Sequence, residues 1–255
     1  MRTLRLLVRQ IGYEQRTYWR TPSSAFFTFA FPLVLLFIFA TMYRGTPLAA
    51  LGGISYAQYF VPGIVAFGVI SACYTNIAIT LCFRRDLGVL KRLRGTPLPP
   101  WVFMGGHIGS SLVVSVLLTA ITTAVGVVAY DLRVPGHWAA LGLSLAAGAF
   151  CFCALGLAVT TLIPNAHAAP AVVNGALFPL LFISGTFFPL EPGSALARTA
   201  GFFPVGNFQH AVFRAFDPRT TGSAIDASDL TALAVWGLAA LVLAARRFRW
   251  EPRHR

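Results

Sequence analysis

The chain has 255 residues, 56% of them hydrophobic and only 11% charged, with a mean hydropathy of +0.70 and a formal net charge of +12. Soluble domains carry about 25% charged residues, so a water-soluble core is excluded, and the absence of alternating segments excludes a membrane β-barrel. Nucleic-acid binding, the usual alternative for so basic a chain, is set aside because each basic cluster abuts an apolar run.

Residues 1–21 come first. Leu4, Leu7, Val8 and Ile11 make an apolar stripe, Arg2, Arg5, Arg9 and Arg16 a basic one, and Tyr13, Tyr18 and Trp19 supply interfacial aromatics. That is the pattern of an amphipathic helix lying in the membrane plane. A signal peptide is disfavoured, because the polar stretch is long and the following apolar run exceeds an h-region of about 7–15 residues. Thr21-Pro22 then resembles an N-cap with Pro at the first helical position.

Six apolar runs follow, at about residues 24–43, 57–83, 101–130, 138–163, 170–189 and 230–245. A helix needs roughly 20 such residues to cross a bilayer. Pro32 is expected to kink the first run. The last is short, and the fifth is broken by Pro179 and Gly185; neighbouring helices in a bundle tolerate both faults. The expected fold is an all-α integral membrane protein with six transmembrane helices in one domain, 1–255. Its parts are the interfacial helix (1–21), spans one and two (22–83), a basic segment (84–98), spans three and four (99–163), span five with a re-entrant cap (164–229), span six (230–247) and a basic tail (248–255).

The basic segment carries Arg84, Arg85, Lys91, Arg92 and Arg94, with Leu87, Leu90 and Leu93 near helical spacing. It reads as a cytoplasmic surface helix built to touch something. Fifteen of the twenty basic residues fall in the first twenty residues, this segment and residues 246–255, all on one side of a six-span chain. By the positive-inside rule, both termini are then cytoplasmic. Residues 190–229, with Phe202-Phe203-Pro204-Val205-Gly206 and Ala211-Val212-Phe213, are too apolar for a solvated loop and too interrupted for one straight helix. They read as a partly re-entrant element followed by a small outer cap.

Resident chemistry is hard to find. None of the eight acids sits mid-span, which argues against ion coupling through a buried carboxylate. The deepest polar groups are Thr75, Asn76, Thr119, Thr122, Asn174 and Ser184, types that commonly bond between helices. The only lysine, Lys91, follows Leu90, so the Gly-Lys pair that closes a P-loop is missing. The four cysteines lie in apolar runs and the five histidines are scattered, giving no metal signature; His107 and His167 read as interfacial or structural.

Four landmarks give the chain a family resemblance. They are Tyr59-Phe60-Val61-Pro62-Gly63, the basic segment with its exit Leu93-Arg94-Gly95-Thr96-Pro97-Leu98, Ile183-Ser184-Gly185-Thr186-Phe187-Phe188-Pro189-Leu190, and Phe203-Pro204-Val205-Gly206-Asn207 with His210-Ala211. In order and spacing they resemble permeases of the ABC-2 type, membrane subunits of bacterial ATP-binding-cassette exporters. One departure is Asp86-Leu87-Gly88, where the family pattern has a Glu nearer the Gly; the shorter acid can make the same contact.

The resemblance implies roles. The helix at about 83–94 becomes a coupling helix that inserts into a separate ATPase subunit, with Arg85, Asp86, Leu87, Leu90, Lys91, Arg92 and Leu93 in contact. Residues 1–21 become the connecting helix. ATP and Mg would be bound by that partner, leaving this chain with no cofactor, no metal and no catalytic residue. A second permease copy or a paralogue would complete the path in a bacterial inner membrane, in contact with its lipids. Phe67, Asn76, Asn174 and Phe178 are the residues expected to line the route. The nearest branch is that of drug resistance, so a hydrophobic drug or lipid-like cargo is expected. The alternatives are a polysaccharide or lipid-linked glycan, and a non-transporting scaffold that recruits a cytoplasmic protein.

Overall fold

Apolar length decides the architecture. The computed structural model describes residues 2–43, 47–48, 53–95, 98–190 and 193–247. Among them, five helical stretches are long and apolar enough to cross a membrane: Tyr56–Asp86, Trp101–Tyr130, Trp138–Thr160, Ala166–Ile183 and Ala227–Arg247. The expected first span corresponds to helix α2 (Pro22–Met42), whose stretch Thr28–Met42 is apolar but shorter. Before it lies α1 (Arg2–Trp19). The expected basic tail, 248–255, and Thr96-Pro97 of the basic segment's exit fall outside the described residues.

The second stretch is one path with a defect in it. α3 (Tyr56–Ile70) is capped by Ser55, whose hydroxyl accepts from the Gln58 N–H, and every one of its residues is buried. It runs into a π-helical turn, Ser71–Thr75, and continues as α4 (Asn76–Asp86). π turns inside α-helices occur often at functional sites. Just before α3, β1 (Pro47–Leu48) and β2 (Ile54–Ser55) form a minimal antiparallel pair, with Pro47 opposite Ser55 and Leu48 opposite Ile54.

The basic segment is not the single helix expected. α4 ends at Asp86, Gly88 takes a left-handed conformation (φ 69°), and α5 (Val89–Arg94) starts afresh. A residue with a β-carbon resists that conformation, so Gly88 fixes the corner. α6 (Pro100–Tyr130) spans 31 residues, about 46 Å at 1.5 Å per residue. α7 (Trp138–Thr160) returns, and a 3-10 turn at Ala166–Ala168 leads into α8 (Ala169–Ile183). Pro179 lies within α8 without ending it; the expected break falls only at Gly185, in the left-handed region at φ 75°.

α9 (Ala195–Phe202) and α10 (Pro204–Phe216) form a hairpin that turns at Phe203. Its tip lines a cavity of about 150 Å³ together with Tyr74, Phe152, Leu177 and Trp236, residues well inside their own helices, and the Trp236 indole donates to the Phe202 carbonyl at 3.0 Å. The other end of α10 lies beside the start of α3, where Gln58 donates to the Phe216 carbonyl at 2.7 Å. α11 (Ala227–Arg247) then packs along α7. The core is built around α3: Phe60, Ile64, Ile70, Phe152 and Phe208 are all but fully enclosed. Gly148 lets the Phe208 ring lie directly on the α7 backbone, since a β-carbon there would collide with it.

Two ends can now be distinguished. The basic end holds α1, α5, the α7–α8 turn and the last turn of α11 with Arg246 and Arg247. The far end holds the β pair, the turn after Tyr130 and the acidic start of α11.

Candidate functional site

At the basic end, α1 packs along the start of α6. Gly105, Gly106 and Gly109 leave room there for Leu7, Gln10 and Ile11, the small-residue packing typical of membrane helices. The expected apolar stripe therefore divides: Leu7 and Ile11 face α6, while Leu4 and Val8 are exposed. Gln15 donates to the Ser110 carbonyl and hydroxyl at 2.8 and 3.0 Å.

A buried ionic joint lies beneath. Glu14 is 4% exposed and receives both terminal nitrogens of Arg84, at 2.9 and 2.8 Å. Arg84 also donates to His107 Nε2 at 2.9 Å, and Gln10 donates to Glu14 at 2.9 Å. Three elements, α1, α4 and α6, are thereby tied through one carboxylate. Sequence reasoning missed this joint, although a signal was present: Glu14 is the lone acid among twenty residues that hold five arginines.

The next arginine points elsewhere. Arg85 is buried and donates to the carbonyls of Thr160, Ile163 and Pro164, at 3.0, 2.9 and 3.4 Å. Asp86 pairs with Arg85 at 3.3 Å and accepts from the Ala166 N–H at 2.6 Å. These two side chains clamp the α7–α8 turn against the end of α4. Of the seven residues expected to meet a partner, Arg85 and Leu90 face inward, Asp86 is occupied by the clamp, and Leu93 packs on the core. Leu87, Lys91 and Arg92 are exposed, and so are Leu162, Asn165 and His167 of the α7–α8 turn, which the clamp ties to the end of α4.

The membrane-embedded candidate is a cleft of about 530 Å³ between α2, the π turn with its flanking helices, and α8. Phe67, Asn76, Asn174 and Phe178 all line it, so the four residues expected along the route are brought together. Phe31 and Phe67 meet edge to face, 6.0 Å between centroids. Thr28, Ser71, Thr75 and Thr80 add hydroxyls, and the lining contains no charged side chain. Thr80 donates to Asn76 at 3.4 Å, whereas the buried Thr75 hydroxyl has no partner among the described residues. Such a surface can hold an apolar or aromatic body and hydrogen-bond a neutral polar group.

At the far end, ligand atoms of His210, Asp226 and Asp229 lie within 4.8 Å of one another. They are already engaged: His210 bonds Asp229 at 2.8 Å, and Arg214 donates to Asp226 at 2.8 Å. The hydrogen bond to Asp229 raises the His210 pKa against the opposing effect of burial. Asp217 is held below the usual carboxylate range by its hydrogen bonds from Arg219. An ion-paired network of this kind needs no metal to balance it.

A family model described as ABC-2 type transporter matches residues 6–205. An inner membrane transport permease, YadH, of Escherichia coli (strain K12) is 25% identical over 158 residues, 62% of this chain and 61% of that protein. The protein of the same name from Shigella flexneri matches equally well. A probable multidrug ABC transporter permease, YbhR, of Escherichia coli (strain K12) is 22% identical over 138 residues, 54% of this chain and 38% of that protein. The chain thus spans less than two thirds of the length of these relatives.

Proposed function

The chain belongs to the ABC-2 type transporter family, and on that premise we propose that it is the membrane-spanning permease subunit of an ATP-driven exporter. Hydrolysis belongs to a separate ATPase subunit, which binds ATP and Mg, and a second permease copy or paralogue completes the path. The membrane is a bacterial inner membrane, in keeping with the description of YadH. The basic end faces the cytoplasm, as expected from the side that carries Lys and Arg. α2 serves as the sixth span, and the α9–α10 hairpin re-enters the membrane from the outer side.

The cargo is a hydrophobic drug or lipid-like molecule. The observation that carries this reading is the cleft of about 530 Å³ with aromatic walls, neutral amides and hydroxyls, and no charge. An apolar cargo gains about 25 cal/mol for each Å² it removes from water, and Asn76 and Asn174 orient whatever polar group it carries. The multidrug wording attached to YbhR points the same way.

The ATPase docks on Leu87, Lys91 and Arg92 together with the exposed α7–α8 turn. Leu87 supplies apolar contact and the cations supply specificity. Arg85 and Asp86 act from beneath, by making the two loops one body, so that a push on α5 reaches α7 and α8. Transport then requires two global states whose cargo affinities differ and are linked to nucleotide state.

Two variants test the reading in proteoliposomes with the co-purified ATPase. Asn174→Leu is expected to abolish cargo-stimulated ATP hydrolysis while the complex stays intact. Leu87→Glu with Lys91→Glu is expected to release the ATPase while the permease stays folded. Full stimulation in Asn174→Leu and Phe67→Ala alike would remove the cleft from the route. Retention of the ATPase by the double variant would remove the docking surface.

A further inference from the structure

A second chamber lies at the far end, away from the cleft. It is a half-open pocket of about 450 Å³ between the first turns of α3, the turn after α8, the α9–α10 hairpin and the start of α11. Most of its polar side chains are satisfied locally. The Tyr59 hydroxyl donates to the Gly185 carbonyl. Asn207 Nδ2 donates to the Gly201 and Phe203 carbonyls at 2.8 and 2.9 Å, and Ser184 donates to the Leu181 carbonyl at 3.0 Å. Asp229 is engaged by His210, whose side chain is 53% exposed.

Gln209 is the exception. It is only 4% exposed, it lines the chamber, and neither its Nε2 nor its Oε1 has a hydrogen-bond partner among the described residues. Gly63 of α3 lets the Thr186 carbonyl approach the helix closely beside this amide, since a β-carbon there would collide with that oxygen and stand 3.4 Å from Nε2. A buried carboxamide with both functions unmade is costly to keep, and native interiors satisfy nearly all such groups. The rings of Tyr59 and Phe213, 5.5 Å apart, form an aromatic wall beside it.

We propose that this chamber is a binding site for an uncharged hydroxyl- or carboxamide-bearing group, held by the Gln209 amide. That amide offers a donor and an acceptor side by side, which pairs with a group that is itself both. An ion gains nothing comparable, because the one acid in the wall is already bonded to His210. An amphiphile from the bilayer and a water-borne solute present the same chemistry to Gln209. The site needs neither ATP nor the cleft, so its fate is independent of the transport reading.

The test uses an Ala197→Cys variant in phosphatidylcholine nanodiscs, with a thiol reagent reporting access to the chamber; the native cysteines are all buried. Octyl glucoside is expected to slow labelling, and octyltrimethylammonium to leave it unchanged. Added Gln209→Leu is expected to weaken the protection about tenfold, the worth of one or two hydrogen bonds, while unfolding at the same or a higher temperature. Protection by methyl glucoside as well would assign the site to a water-borne group; protection by octyl glucoside alone would assign it to an amphiphile. Either result supports the proposal. Equal protection by the ammonium probe, no protection by either glucoside, or full protection in Gln209→Leu would overturn it.

Discussion

The basic end and the cleft treat buried polar groups in opposite ways. At the basic end, Glu14, Arg84 and His107 are bonded together, and Arg85 and Asp86 are bonded to each other and to backbone carbonyls and an N–H of the α7–α8 turn. In the cleft, neutral hydroxyls and amides stand around an open volume, and the Thr75 hydroxyl has no partner among the described residues. Satisfied networks rigidify, whereas polar groups left over are costly unless something meets them. The difference separates a part suited to transmit force from a part suited to receive a ligand.

The largest effect is expected where the joint loses its only acid. Glu14→Ala leaves Arg84, 13% exposed, without its counter-charge. Removing one member of a buried ion pair costs about 3–5 kcal/mol. Urea unfolding in detergent should show that loss, and proteolysis should cut α1 first. An unfolding midpoint within error of wild type would mean that α1 is held by the glycine face of α6 alone.

Arg85→Met comes next, with about 2–3 kcal/mol expected, since Asp86 is 28% exposed and partly solvated once its partner is gone. The same variant should free the α7–α8 turn, read as faster hydrogen exchange at Ala166. Protection of that amide equal to wild type would show that the clamp is not what holds the turn.

Asn174→Leu sharpens the contrast from the other side. A partly buried cleft residue with no hydrogen-bond partner among the described residues should change stability by no more than about 0.5 kcal/mol, while cargo-stimulated hydrolysis is lost. A large fall in stability would place Asn174 in the scaffold and erase the distinction.

The smallest effect concerns His210. Its pKa is raised chiefly by the hydrogen bond to Asp229, so the protonated form is favoured in the folded state. The added stability is complete below the unfolded value of about 6.5 and fades as pH rises through the folded value. With the ring half exposed, screening keeps this under about 1 kcal/mol. Thermal unfolding followed from about pH 6 to 8.5 should show a shallow decline, and Asp229→Asn should flatten it. A slope unchanged in that variant would assign the titration to another group.

Much of this molecule is written locally. Runs of about 20 apolar residues announce spans whatever surrounds them, and the bias of arginine along the chain supports an orientation. Even the cleft was legible: Phe67, Asn76, Asn174 and Phe178 stand out as aromatic or amide groups in the second and fifth runs, and the structure gathers all four. Local pattern failed where one residue type had two uses. Arg84 and Arg85 look like members of one basic cluster with Lys91 and Arg92, yet the first two turn inward.

Composition and hydrophobic length by themselves determined the class of this protein, an α-helical membrane chain, because burying apolar surface in lipid depends on the residues and hardly on their neighbours. The tertiary structure alone decided which charges are machinery and which are surface. It placed Glu14 under Arg84, set three carbonyls around Arg85 and left Gln209 with its amide unmet. Those outcomes depend on partners far away in sequence, and a hydrogen bond spanning only a few ångströms exists only once packing has brought both ends to the same place.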